Sequence, residues 1–190
     1  MRDADFSFEL AQANVDETRL RGETARAMTR RLAEAKVLAV AERLKAAPEK
    51  AIVIGADTTV EVAGRLLGKP ESAKNAREML LRLSAKTHRV VTSVAVLRLP
   101  DRAIKIATVT TRVRFARMSR DEIATYVATG EPLDKAGAYA VQGIGGRFIE
   151  RIDGCYFNVV GLPLARVYRM LLSLGWQSPR RAQKGSRAAG

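Results

Sequence analysis

Asp57 and Lys69 combine residue type and position in a way that could do chemistry. The apolar run Ala51-Ile52-Val53-Ile54-Gly55-Ala56 leads straight into Asp57-Thr58-Thr59-Val60, and Gly68-Lys69-Pro70 follows after a short connection. Such a run reads as a core strand of a parallel or mixed sheet. Asp57 then sits where the strand surfaces, and ligands of open α/β sheets gather at the carboxyl ends of strands. A carboxylate there can hold a hard cation or take a proton from water. A lysine nearby can meet an anionic substrate. Taken alone, the strand tilts toward the plainer reading, an acid opening a turn with Lys69 as solvated charge.

Two further places carry chemistry-bearing residues. Glu23 to Ala46 reads as a helix closed by Pro48, with Met28, Leu32, Ala33, Val37 and Val40 on one half of its wheel. Lys36 falls near the middle of that apolar arc. It either snorkels from an edge or aims into a pocket, and the geometry weighs the two evenly. The segment Gly130 to Gly143 is dense in glycines and polar groups. Loops of this make carry sites, and Gln142 offers both a donor and acceptors, as base recognition needs. The alternative is a turn-rich connector in which Asp134 and Lys135 pair only with each other.

Composition narrows the field. The chain has 190 residues, 47% of them hydrophobic, which suits a single domain with a real core. It contains no long uncharged apolar stretch that would span a membrane. Cys155 is the only cysteine and His88 the only histidine. An internal disulfide is therefore ruled out and a cytoplasmic setting expected. A zinc site or a Ser-His-Asp hydrolase is disfavoured, so any metal should be Mg²⁺ or Mn²⁺ on carboxylates, waters and substrate oxygens. The formal charge of +13 points to an anionic partner. Four of the cations (Arg180, Arg181, Lys184, Arg187) follow Gln177 with no acid among them. With 5% aromatics the chain lacks obvious stacking platforms, so nucleic-acid binding is unspecific at most.

The remaining elements are those that must position these residues. Phe6 to Leu10 reads as a short strand and Asn14 to Glu17 as a polar loop. Glu61 to Leu67 reads as a hairpin turning at Ala63-Gly64. Ser72 caps a helix whose apolar face is Ala76, Met79, Leu80 and Leu83. Arg89–Leu99 and Ile104–Phe115 form an antiparallel pair turning at Pro100-Asp101. Ser119-Arg120-Asp121-Glu122 is a capping box opening a helix that Gly130 ends. Phe148–Ile152 alternates like a strand, and Leu162–Leu174 is the last helix, with Pro163 in its first turn. The whole is α/β with mixed strand order: one domain over 1–176 and a disordered basic tail over 177–190.

Together these segments resemble the Maf-type nucleoside triphosphate pyrophosphatases. The resemblance is carried in order by Val15-Asp16-Glu17, Arg31 to Lys36, Gly55-Ala56-Asp57-Thr58-Thr59-Val60, Gly68-Lys69-Pro70, Met79 to Ser84, His88 to Thr92, Glu131 to Tyr139, Gln142-Gly143, and Asn158 to Leu164. It implies a Maf/ITPase-like fold, a mixed twisted sheet flanked by helices. It also implies hydrolysis of a nucleoside triphosphate to monophosphate and pyrophosphate with Mg²⁺ or Mn²⁺. Ala-Asp-Thr at the acid and Lys-Ala-Gly-Ala-Tyr followed by Gln-Gly resemble the branch that prefers dTTP, UTP and related modified nucleotides. On that resemblance Asp57 is the catalytic acid/base, Thr58 and Gln142 bear on base choice, and Lys36 and Lys69 bind the phosphates. Glu17 matches a pocket residue and, with Asp57, is expected to hold the metal. Members of the family are often dimeric, which extends the expectation to a homodimer, although the residues themselves carry no interface signal.

One part of the family pattern has no counterpart here. The family opens with a strand and a Ser-x-Ser-Pro-Arg-Arg loop that grips phosphates. The expectation is that the coding start lies upstream of Met1. The alternative is a truncated, non-catalytic nucleotide-binding or division-related partner protein. Ser178-Pro179-Arg180-Arg181 spells the same tetrapeptide but has neither the preceding strand nor the following helix, so it reads as coincidence in a basic tail.

Overall fold

The computed structural model describes residues 6–44 and 51–177. The end of the first expected helix beyond Leu44, and the tail with its Ser178–Arg181 tetrapeptide, lie outside the described residues. Helix α1 (Ala25–Arg43) starts at Thr24, whose hydroxyl caps it by accepting from the Ala27 amide at 3.2 Å. Strand β1 (Ala51–Val62) turns at Ala63 and Gly64 into β2 (Arg65–Leu67). Both turn residues have positive φ, 47° and 73°, as a tight hairpin turn matched to strand twist requires. Helix α2 (Ala73–Leu83) is capped by Ser72, and α3 (Arg120–Ala128) by the Ser119/Glu122 box. The long strands β3 (Thr87–Leu99) and β4 (Ile104–Phe115) follow α2. The short β5 (Ile149–Asp153), α4 (Tyr156–Val160) and α5 (Leu164–Ser173) complete the described chain.

The sheet runs β2-β1-β3-β4-β5, and every pairing among the described residues is antiparallel. The α/β class stands, but the expected mixed strand order gives way to an antiparallel one. An apolar run such as Ala51–Ala56 reports burial on both faces, not strand direction. Phe6–Leu10 forms no strand. Its Phe6 ring instead packs against Trp176 at 5.4 Å, joining the α5 side of the core.

Alternation along β1 sorts its side chains onto two faces. Val53, Gly55 and Asp57 face α1, whose Ala33, Val37, Val40 and Ala41 pack on Val53, Ala95 and Leu97. Ile52, Ile54 and Ala56 face α5, and Val60 and Val62 face the larger core of α2, α3, Phe115 and Tyr139. Helix α1 is also tied down by a buried hydroxyl chain: Thr29 Oγ1 lies 2.8 Å from Ser93 Oγ, which lies 2.8 Å from Thr108 Oγ1. No helix among the described residues is long and apolar enough to cross a membrane.

Candidate active site

Asp57 lies mid-strand on the α1 face of β1, opposite Ser93 of β3. Gly55, two residues earlier, lets the helix come close. A Cβ there would meet Val37 Cγ1 at 2.8 Å and the Ala33 carbonyl at 3.0 Å. This approach sets Lys36 over Asp57, with Nζ 2.8 Å from Oδ1. The lysine is thus aimed inward, which settles the two readings that its helical position left open. The same Nζ lies 2.8 Å from Oε1 of Glu17.

Glu17 sits in an irregular segment that a second ionic contact pins to α1. Arg31 grips Glu23 with both arms of its guanidinium, at 2.8 and 2.9 Å, and also donates to the Thr18 carbonyl at 3.1 Å. The Arg31 hydrogen bonds hold the Glu23 carboxyl down at about 2. Arg19 closes the loop from the other side, donating to the Glu23 carbonyl at 2.7 Å.

Asp57 is 9% exposed, and its burial raises the carboxyl above the ordinary Asp value, with the Lys36 hydrogen bond offsetting this only in part. Burial acts against the Lys36 charge as well, but Asp57 and Glu17 more than compensate and hold the ammonium above its ordinary value. Glu17 is more exposed, and its bond to Lys36 keeps its carboxyl low. The Lys36 ammonium thus bridges the carboxyl groups of Asp57 and Glu17.

These residues open onto a cavity of about 430 Å³, which Thr58 and Lys69 also line. The Lys69 loop is held from across the cavity: the Gly137 amide donates to the Gly68 carbonyl at 3.0 Å. Gly137 is obligatory there, with φ of 72° and Val60 Cγ2 2.8 Å from where a Cβ would stand. The segment that follows ends in Tyr139, whose hydroxyl meets Nε2 of His88, itself 1% exposed, at 2.8 Å. Burial pushes His88 down to about 4, so it is neutral and structural at physiological pH.

Five of the six expected site residues, Glu17, Lys36, Asp57, Thr58 and Lys69, thus line one cavity. Gln142 does not line it and is exposed. Asp134 and Lys135 do line it, joined to each other at 2.6 Å, so their mutual pairing and their place at the cavity are both real. Sequence reasoning gave no role to the wall made by Val159, Val160 and Gly161, carried by a short helix it did not anticipate. The signal was the Gly-Leu-Pro after an apolar pair, which reads equally as the start of the last helix. Among the described residues no three His, Cys, Asp or Glu side chains cluster as a ready-made metal site.

Chemically, the cavity joins a largely buried carboxylate to lysines on two sides and to an apolar wall of Leu32, Val159 and Val160. That is a place for an anionic ligand with an apolar portion. Comparison with known proteins agrees. The family described as Maf-like protein matches residues 1–174. A dTTP/UTP pyrophosphatase of Syntrophomonas wolfei is 44% identical over 170 residues, covering 90% of this chain and 88% of the relative. One from an Anaeromyxobacter strain is 47% identical over 178 residues, covering 90% of this chain and 83% of the relative. A third, from Pelotomaculum thermopropionicum, is 47% identical with 90% and 87% covered.

Proposed function

Because the chain belongs to the Maf family, we propose that it is a nucleoside triphosphate pyrophosphatase that cleaves dTTP and UTP to the monophosphate and pyrophosphate. The observation that carries this reading is the buried Asp57 carboxylate, fixed by Lys36 in a cavity that Lys69 and Lys135 also line, in a chain whose relatives are named dTTP/UTP pyrophosphatases. Asp57 takes a proton from the water that attacks the α-phosphorus. Its raised carboxyl makes it a better base than an exposed aspartate. The bond from the α-phosphorus to the bridging oxygen breaks, and the pair of electrons leaves with pyrophosphate. Lys36, Lys69 and Lys135 offset charge that grows on that leaving group.

Glu17 and Asp57 suit a hard divalent cation such as Mg²⁺ or Mn²⁺. Both offer carboxylate oxygens, and Lys36 engages Oε1 of one and Oδ1 of the other, which leaves a second oxygen on each. The three cavity lysines are matched by the three acids Glu17, Asp57 and Asp134, so a triphosphate needs further positive charge to sit there. When bound, such an ion would screen the phosphates and acidify a water. Thr58, beside the apolar wall, faces the base. A nucleotide-clearing role follows from this chemistry, and the single cysteine fits a cytoplasmic setting. Pyrophosphate release from dTTP and UTP in the presence of Mg²⁺ tests the reading; release from neither nucleotide would overturn it.

A further inference from the structure

The face of β1 turned away from α1 carries a chain of polar side chains whose protons can be assigned one by one. Asn158, in α4, is 0% exposed. Its Nδ2 donates to the Val90 carbonyl at 3.0 Å and to Thr111 Oγ1 at 3.1 Å, so both amide protons are committed to β3 and β4. That fixes where the Asn158 main-chain carbonyl stands. Thr92, also 0% exposed, has its Oγ1 3.0 Å from this carbonyl oxygen. A carbonyl has no proton to give, so Thr92 is the donor. Turned elsewhere, its proton would leave two oxygen lone pairs facing each other in a buried site.

Thr92 Oγ1 also lies 2.9 Å from Thr58 Oγ1. A hydroxyl has one proton, and that of Thr92 is already committed. The proton in this second contact therefore belongs to Thr58. Thr58 then has none left for the cavity it lines and turns lone pairs toward it. Gly161 keeps them uncovered: a Cβ there would stand 3.7 Å from Thr58 Oγ1, and its φ of +114° disfavours any side chain.

We propose that Thr92, anchored by Asn158, is a positioning residue that makes Thr58 a hydrogen-bond acceptor only, so that the site selects a pyrimidine whose ring N3 carries a hydrogen. The inference rests on the reading of this cavity as a nucleotide site. Thymine and uracil have that N–H. Cytosine has a lone pair at N3, which would face the lone pairs of Thr58. Discrimination then comes from a repulsive contact as well as an attractive one. Removing the Thr92 hydroxyl frees the Thr58 proton to turn into the cavity, where it can donate to cytosine N3.

The test is kcat/KM for dTTP and dCTP with the wild-type protein, Thr92→Val and Thr92→Ser, with Tm followed for each. In Thr92→Val the dCTP-to-dTTP ratio rises by about tenfold or more, while Thr92→Ser keeps the wild-type ratio. A purely structural role would weaken both nucleotides alike, so an unchanged ratio in folded Thr92→Val overturns the proposal. Should Thr92→Val not fold, Thr58→Val carries the test: the preference for dTTP falls by about tenfold, and an unchanged preference overturns the proposal. Wild-type protein that cleaves dCTP as readily as dTTP overturns this inference alone. Cleavage of neither overturns it together with the pyrophosphatase reading.

Discussion

Lys36 Nζ lies 2.8 Å from Asp57 Oδ1 and 2.8 Å from Glu17 Oε1, so one ammonium bridges two carboxylates at the mouth of the cavity. The bridge joins three separate parts of the chain: helix α1, the middle of β1 and the irregular segment that Arg31 and Glu23 pin down. Asp57 is thereby oriented before a substrate arrives. Preorganised charge of this kind does not have to be rearranged during the reaction.

Asp57→Asn removes the base and keeps the shape. Pyrophosphate release from dTTP should fall by about 100-fold or more while circular dichroism shows an intact fold. In the wild type, turnover needs the charged carboxylate. It should therefore rise with pH through an apparent pKa above the ordinary Asp value of 3.8, because burial raises this group.

Lys36→Met takes the ammonium from both acids. The buried Asp57 carboxylate then loses its donor, at a cost of about 1–3 kcal/mol in urea unfolding. Without that neighbour the Asp57 carboxyl moves further up, and the acid limb of the rate profile moves with it to higher pH. KM for dTTP should rise as well, since one cation facing the phosphates is lost.

Gly55→Ala tests the close approach of α1 to β1. The new methyl would stand 2.8 Å from Val37 Cγ1 and 3.0 Å from the Ala33 carbonyl, and a main-chain oxygen cannot rotate aside. Helix and strand must part, with a loss of about 1–3 kcal/mol in chemical denaturation. Because Lys36 rides on that helix, KM should rise with the loss of stability.

His88 gives a pH signature to folding. Burial lowers it from 6.5 to about 4, so between those values the unfolded chain binds a proton that the folded chain does not. Its contribution is whole above 6.5 and is lost as pH falls toward 4, about 3 kcal/mol over the full window. Glu23 acts in the same direction but lower, between 4.5 and about 2, and Asp57, raised above 3.8, acts in the opposite direction, so His88 is isolated by comparison with a variant that lacks it. Comparing urea unfolding of wild type and His88→Phe at pH 7.5 and 5 should show a steeper decline for the wild type.

Much of this site could be read in the chain, for identifiable reasons. The apolar run drew attention to Asp57 and the helical wheel to Lys36, but each pattern left two readings open, and it was the resemblance of the ordered motifs that favoured a catalytic acid and an inward lysine. What periodicity could not supply was direction and contact. A run buried on both faces looks the same in a mixed or an antiparallel sheet, and only the observed register shows which it is. Phe6–Leu10 alternates like a strand, yet Phe6 packs on Trp176, a contact between the two ends of the described chain. The Gly130–Gly143 loop has the composition of a site, but its middle, Asp134, Lys135, Ala136 and Tyr139, is what lines the cavity, while Gln142 lies exposed outside it. The Thr58–Thr92–Asn158 chain was invisible because its members are distant in sequence and each, alone, is an ordinary core hydroxyl or amide.

The most direct test of the central claim is where the oxygen of water ends up. The protein is incubated with dTTP and Mg²⁺ in ¹⁸O-labelled water, and the products are weighed by mass spectrometry. Attack at the α-phosphorus with Asp57 as base predicts one labelled oxygen in dTMP, unlabelled pyrophosphate, and neither product from Asp57→Asn at a comparable rate. Label in orthophosphate with dTDP as the other product, or undiminished cleavage by Asp57→Asn, would contradict it.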